Sequence, residues 1–145
     1  MSDISRLQCV QNSLACVIFG KSKYSHDTAI LKNLHWLPVK HRIIFKQCLL
    51  VYKTIHTYNS QYFQDWFIPF TSLANTRQSN PSNLNLKVAS FNCRIHKNLR
   101  HFDAAFSTCG PTLWNSLPLH VRQSKSVLCF RKGLKTYLYD LAYPK

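Results

Sequence analysis

The sequence contains no glutamate and few acidic residues of any kind. Its five acids are all aspartates, and they lie singly and far apart: Asp3, Asp27, Asp65, Asp103 and Asp140. Polymerases, nucleases and phosphatases generally hold divalent metals with clustered carboxylates. The sequence therefore disfavours a two-metal catalytic centre.

Glycine and long apolar runs are also scarce. The three glycines, Gly20, Gly110 and Gly133, form no phosphate-cradling loop, which disfavours nucleotide hydrolysis. The longest apolar run covers residues 14–19, whereas a membrane-crossing helix needs about 20 residues, so we expect no membrane span. The spacing of the histidines and serines selects no catalytic triad, and we expect no enzymatic activity from this chain alone.

Positive charge is abundant by contrast. The chain has 19 Lys and Arg against five acids, a formal net charge of +14. Such a balance is best tolerated beside a polyanion, and it favours the phosphate backbone of RNA or DNA over an anionic membrane or an acidic protein. A solvated basic surface without a partner is the alternative interpretation.

Six cysteines lie far apart in the sequence, and the N-terminus does not read as a signal peptide. We therefore expect an intracellular protein of the nucleus or cytoplasm, not a secreted one. One group of four could in principle bind zinc: Cys93, His96, His101 and Cys109. Only its first spacing fits a known zinc knuckle, so we favour surface histidines and buried cysteines, and predict no metal or cofactor.

Apolar periodicity predicts a mainly α chain, a small helical bundle in one compact unit. We expect helices over about residues 4–19, 27–34, 39–57, 61–68 and 126–141, with a loop over 69–83. Residues 84–88 instead alternate apolar and polar side chains, which is typical of a strand. They predict a short β-hairpin within residues 84–101.

Three of these helices are predicted to have distinct faces. The first has one apolar face, Leu7, Val10, Leu14, Val17 and Ile18, opposite Gln8, Gln11 and Asn12. The third has an apolar stripe, Ile44, Cys48, Val51 and Ile55, opposite Arg42, Lys46 and Lys53. The last has an apolar side, Val127, Phe130, Leu134, Leu138 and Leu141, and a basic side, Arg131, Lys132 and Lys135.

Four segments contain combinations of residues that secondary-structure propensity alone does not explain. They are residues 6–12 (RLQCVQN), 34–46 (LHWLPVKHRIIFK), 111–118 (PTLWNSLP) and 130–138 (FRKGLKTYL). In this order and at these distances they resemble the C-terminal region of reverse transcriptases encoded by non-LTR (LINE-type) retrotransposons. The resemblance covers nearly the whole chain. It implies a region downstream of the catalytic palm.

The resemblance also implies what is missing. Members of the family have an N-terminal endonuclease and a palm with a Tyr/Phe-x-Asp-Asp motif, and this sequence contains neither. We therefore expect a truncated, catalytically silent C-terminal module whose partners are nucleic acid and the rest of a reverse transcriptase. Alternatives are a brace for the polymerase thumb, a membrane-surface protein, and an expressed relic without function.

Candidate contacts to phosphate are the basic residues of the third and last helices and those around the hairpin. They are Arg42, Lys46, Lys53, Arg94, Lys97, Arg100, Arg131, Lys132 and Lys135. Two tryptophan–proline pairs are predicted instead to be structural anchors, in which a large ring packs beside a proline that turns the chain. They are Trp36 with Pro38 and Trp114 with Pro118. Stacking of either ring on an unpaired base is the alternative.

Overall fold

The structure is a computed structural model that describes residues 3–20, 28–57, 67–70, 84–88 and 106–144. The described residues form six α-helices and no named strand, which confirms the mainly α class. The helices are α1 (Asp3–Ile18), α2 (Thr28–Asn33), α3 (Val39–Thr57), α4 (Phe106–Ser116), α5 (Leu119–Arg122) and α6 (Val127–Ala142).

The chain divides into two compact units, whereas we expected one. The first contains Met1–Phe45 and Gly133–Lys145, and the second contains Lys46–Lys132. The division falls inside α3 and inside α6, so each of these helices contributes residues to both units.

The first unit has a small core built by α1, α2 and the end of α6. Two tyrosine hydroxyls donate hydrogen bonds to backbone carbonyl oxygens in this unit. Tyr139 of α6 donates to Lys32 at 2.8 Å, and Tyr143, the residue after α6, donates to Trp36 at 2.7 Å. These bonds hold the α2–α3 turn against the chain's last turn of helix. The buried residues are Ala15, Cys16, Ile30, Leu31 and Tyr143.

Helix α1 packs through its polar face, which the sequence pattern did not indicate. Gln11 is 5% exposed, and its Nε2 donates a hydrogen bond to the carbonyl oxygen of Leu37 at 2.9 Å. The Oε1 of Gln8 accepts a hydrogen bond from the backbone N–H of Val39 at 2.9 Å. The predicted apolar face instead lies in solvent, because the side of the helix that carries these two glutamines faces the backbone of residues 37–39.

The second unit has an aromatic core. Tyr52 of α3 stacks on Phe130 of α6 with ring centroids 4.2 Å apart, and Trp114 of α4 lies 5.9 Å from Phe130. The Tyr52 hydroxyl donates to the carbonyl oxygen of Ser124 at 2.7 Å. The first turn of α6 is capped by Ser126, whose Oγ accepts the N–H of Cys129 at 3.2 Å.

Residues 85–87 form a short extended segment that pairs with residues 68–70, and Leu84 before them has a φ of +48°. An antiparallel bridge joins Pro69 to Leu86, with hydrogen bonds from Lys87 N to Ile68 O and from Phe70 N to Asn85 O. The hairpin partner that we expected near 93–99, the residues 61–66 of a predicted helix and most of the predicted loop lie outside the described residues. The predicted end of that helix, residues 67–68, was wrong, because neither residue is helical and Ile68 takes part in the pairing with Lys87.

Two helices, α4 and α5, were not predicted. Gly110 and Pro111 lie inside α4, and these two residue types have the lowest helix propensities. Burial outweighs their propensity, because both lie in the core of the second unit beside Trp114. A Cβ at position 110 would lie 3.0 Å from Cε1 of Phe67, so a larger residue there would require the Phe67 ring to shift.

Candidate nucleic-acid interface

The basic stripe of α3 faces solvent. Arg42, Lys46 and Lys53 are exposed, and the helix contains no acidic residue that could neutralise them within it. The opposite face anchors the helix, because Cys48 and Val51 are fully buried. The amphipathic pattern of α3 therefore holds three cations on its outward side, where they are accessible to an anion.

The basic side of α6 is likewise exposed. Arg131, Lys132 and Lys135 point away from the buried residues of the helix, Phe130, Leu134 and Leu138. The predicted apolar side was wrong at its end, because Leu141 is 57% exposed. The three cations occupy positions i, i+1 and i+4, within little more than one helical turn, so they form one patch on this helix.

Large apolar side chains lie within both basic patches, which the sequence analysis missed. Ile43 and Leu50 are 40% and 49% exposed on α3, and Leu128 is 67% exposed on α6. Their spacing from the basic residues could have indicated this. Leu128, for example, lies three residues before Arg131 and four before Lys132, which places it on the same face of the helix. Each patch can contact both a charged and an apolar part of a ligand.

Three of the predicted phosphate contacts, Arg94, Lys97 and Arg100, fall in a stretch of chain that the structure does not describe. The same holds for Cys93, His96 and His101 of the zinc pattern. Its fourth member, Cys109, is half-buried in α4, where its Sγ accepts a hydrogen bond from Gln47 Nε2 at 3.6 Å. The described residues contain no group of three or more potential metal ligands.

Two thiols of the second unit, Cys48 and Cys109, are poorly suited to act as reactive cysteines. Burial and, to a smaller extent, the neighbouring Cys109 thiol together raise the pKa of the Cys48 thiol to about 12. Burial also raises the pKa of Cys109. Both thiols are therefore protonated at neutral pH, and a protonated thiol is a poor nucleophile and a poor metal ligand.

The two tryptophans have different surroundings. Trp114 is 1% exposed, so its ring has no free face on which a base could stack. Trp36 is half-buried and packs against the core of the first unit. Pro38 and Pro118 precede α3 and α5, and the carbonyl oxygens of both prolines accept backbone N–H groups of the helices that follow.

A buried cation, Arg122, was also missed. Its side chain is 7% exposed, and its Nη1 donates a hydrogen bond to Oδ1 of Asn85 at 2.6 Å. Burial lowers the pKa of its guanidinium. No sequence signal marks this arginine, since its partner is a neutral amide 37 residues away in the chain. It ties α5 to the extended segment and belongs to the core, not to the exposed patches.

Comparison of the chain with models of protein families, with curated proteins and with solved structures found no match. Among the residues that the structure describes, no helix is both long enough and apolar enough to cross a membrane.

Proposed function

We propose that the chain is a catalytically silent nucleic-acid-binding module that contacts the phosphate backbone of RNA or DNA through the exposed patches of α3 and α6. One observation carries the proposal: α3 displays Arg42, Lys46 and Lys53 to solvent, has no acid and is held by a buried opposite face. Basic residues fixed in this way can replace the counterions of several phosphates.

The origin of the module is part of the proposal. The resemblance of its four segments to non-LTR retrotransposon reverse transcriptases supports a C-terminal region that assists a polymerase in holding template RNA or target DNA. The exposed apolar side chains inside the patches, Ile43, Leu50 and Leu128, are available for contacts to sugars. Such contacts do not read a sequence, so binding is expected to be weakly sequence-specific.

The test is fluorescence anisotropy with a structured RNA and a single-stranded oligonucleotide between about 50 and 200 mM salt. We expect affinity to fall steeply with salt. The variant Arg42→Glu/Lys46→Glu/Lys53→Glu should bind more than about tenfold more weakly than the parent chain and show a shallower salt dependence, because three phosphate contacts are lost.

A charge-matched variant controls for net charge. Lys32→Glu/Lys87→Glu/Lys125→Glu reverses three exposed lysines outside the two patches. An equal loss of affinity in both variants would show that binding follows total charge and not the α3 face. Retained affinity in the α3 variant, with unchanged circular dichroism, would overturn the proposal in favour of a bracing module that does not touch nucleic acid.

A further inference from the structure

Helix α1 exposes its whole apolar side. The six large apolar residues of this side are between 45% and 77% exposed, although they form one continuous stripe along the helix. We call this surface the α1 apolar face; it comprises Ile4, Leu7, Val10, Leu14, Val17 and Ile18. The packed side of the helix is instead the one that carries Gln8, Gln11 and Ala15.

The area of this face is large for a surface without a partner. Six half-exposed aliphatic residues present on the order of 600 Å², at the upper end of the largest apolar patch of a typical monomer. A standard protein interface covers about 800 Å² per partner. The area of the α1 apolar face is therefore large enough to supply most of one partner's share of a modest, reversible interface.

The spacing and charge of the face fit another copy of the same helix. Leu7, Val10, Leu14 and Val17 are separated by three, four and three residues, the spacing of a two-helix seam. The charged residues of α1 are Asp3 and Arg6, which pair at 3.9 Å and leave the helix with no net charge. A partner therefore needs no acidic face, and two α1 helices do not repel each other.

We propose that the α1 apolar face is a homodimer interface, in which α1 packs antiparallel against α1 of a second copy. In this register Leu7 of one copy faces Val17 of the other, and Val10 faces Leu14, so that the same patch serves both subunits. The proposal does not depend on nucleic-acid binding. The opposing force is the repulsion between two chains of +14 each, which salt screens.

Sedimentation velocity on the full chain, at concentrations between about 1 and 200 µM, tests the dimer. We expect a reversible monomer–dimer equilibrium that strengthens between about 0.1 and 0.5 M salt. Nucleic-acid contamination would produce the opposite trend, because phosphate contacts weaken with salt. A folded chain that stays monomeric over the whole range would overturn the proposal and leave the proposed nucleic-acid binding untouched.

Matched substitutions test whether the α1 apolar face is the surface that forms the dimer. Leu14→Glu should weaken the dimer at least about tenfold, whereas Leu141→Glu should not, although both leucines are similarly exposed, at 54% and 57%. Val10→Lys/Leu14→Glu should restore association, because each new lysine faces a new glutamate of the other copy. Equal dimerisation of the parent and Leu14→Glu, with unchanged circular dichroism, would show that another surface forms the dimer.

Discussion

The indole Nε1 of Trp114 donates a hydrogen bond to the carbonyl oxygen of Leu84 at 2.8 Å, across 30 residues of chain. The neighbouring Asn115 adds two more bonds, since its amide donates to the carbonyl oxygen of Leu86 and accepts from the N–H of Leu86, both at 2.8 Å. One turn of α4 thus holds the extended segment by three hydrogen bonds to its backbone.

Replacing this tryptophan should therefore lower the stability of the chain through the lost hydrogen bond as well as through the smaller ring. Trp114→Phe removes the donor to Leu84 and leaves a space in the core of the second unit, so we expect a loss of about 2–3 kcal/mol in the free energy of unfolding. Urea denaturation followed by circular dichroism measures it. Leu128→Ala, at a position 67% exposed, should change stability by less than about 0.5 kcal/mol. Equal stability of Trp114→Phe and the parent chain would contradict the contact.

Gly110 tests whether packing outweighs helix propensity in α4. Alanine is favoured over glycine by about 1 kcal/mol in a helix. Its Cβ would nevertheless lie 3.0 Å from Phe67 Cε1 and 3.3 Å from Val51 Cγ2. We expect Gly110→Ala to destabilise the chain by about 1–2 kcal/mol net. The double variant Gly110→Ala/Phe67→Leu should recover part of the loss in the same denaturation assay, whereas strictly additive effects would rule out the clash.

Gln11 should be more important for stability than the leucines of the same helix. Gln11→Met preserves side-chain size but leaves the Leu37 carbonyl oxygen without this donor, so we expect a loss of about 1–3 kcal/mol. Leu7→Gln, on the exposed side, should change the stability of the dilute monomer by less than about 0.5 kcal/mol. Thermal denaturation at low protein concentration compares them. The reverse order of effects would mean that α1 packs through its apolar side.

Two histidines should make stability depend on pH. Burial lowers the pKa of His41, with a smaller effect from Lys40, and burial lowers the pKa of His56. The neutral rings are thus favoured in the folded chain. Their contribution is fully present above about pH 6.5, the pKa in the unfolded chain, and is lost as the pH falls through the lower folded values.

Melting temperatures measured between about pH 7.5 and 5 should therefore decrease with acidification. The variant His41→Gln/His56→Gln should show a smaller decrease, because neither position then takes up a proton on unfolding. The same pH slope in both chains would assign the dependence to other groups.

The sequence predicted the helices whose burial follows regular periodicity and failed where local preference and tertiary packing disagree. The bounds of α3 match the prediction, because its apolar stripe meets the core and nothing interrupts it. Helix α4 was missed since Gly110 and Pro111 disfavour helices, and only contacts with residues distant in sequence favour one there. Periodicity also located the two faces of α1 but not which of them is buried.

For the candidate site, charge and spacing indicated the outward cations of α3 and α6, because a charged stripe opposite an apolar one has a single favourable orientation. They could not reveal that Ile43, Leu50 and Leu128 lie exposed among those cations. Aliphatic residues are assigned to a core by type, and only the arrangement of neighbouring elements shows that no core reaches them. Arg122 shows the converse, a cation placed inside by its contact with Asn85.

The attachment of α1 has a consequence for how the sequence can vary. Gln8 and Gln11 bind main-chain atoms of Leu37 and Val39, and every residue type supplies a carbonyl while all except proline supply an N–H. Deep mutational scanning of the fold should therefore find positions 8 and 11 restricted to glutamine, while position 39 accepts many side chains other than proline. Two amides on one helix constrain the path of the backbone at residues 37–39 and leave the side chain at position 39 free to vary.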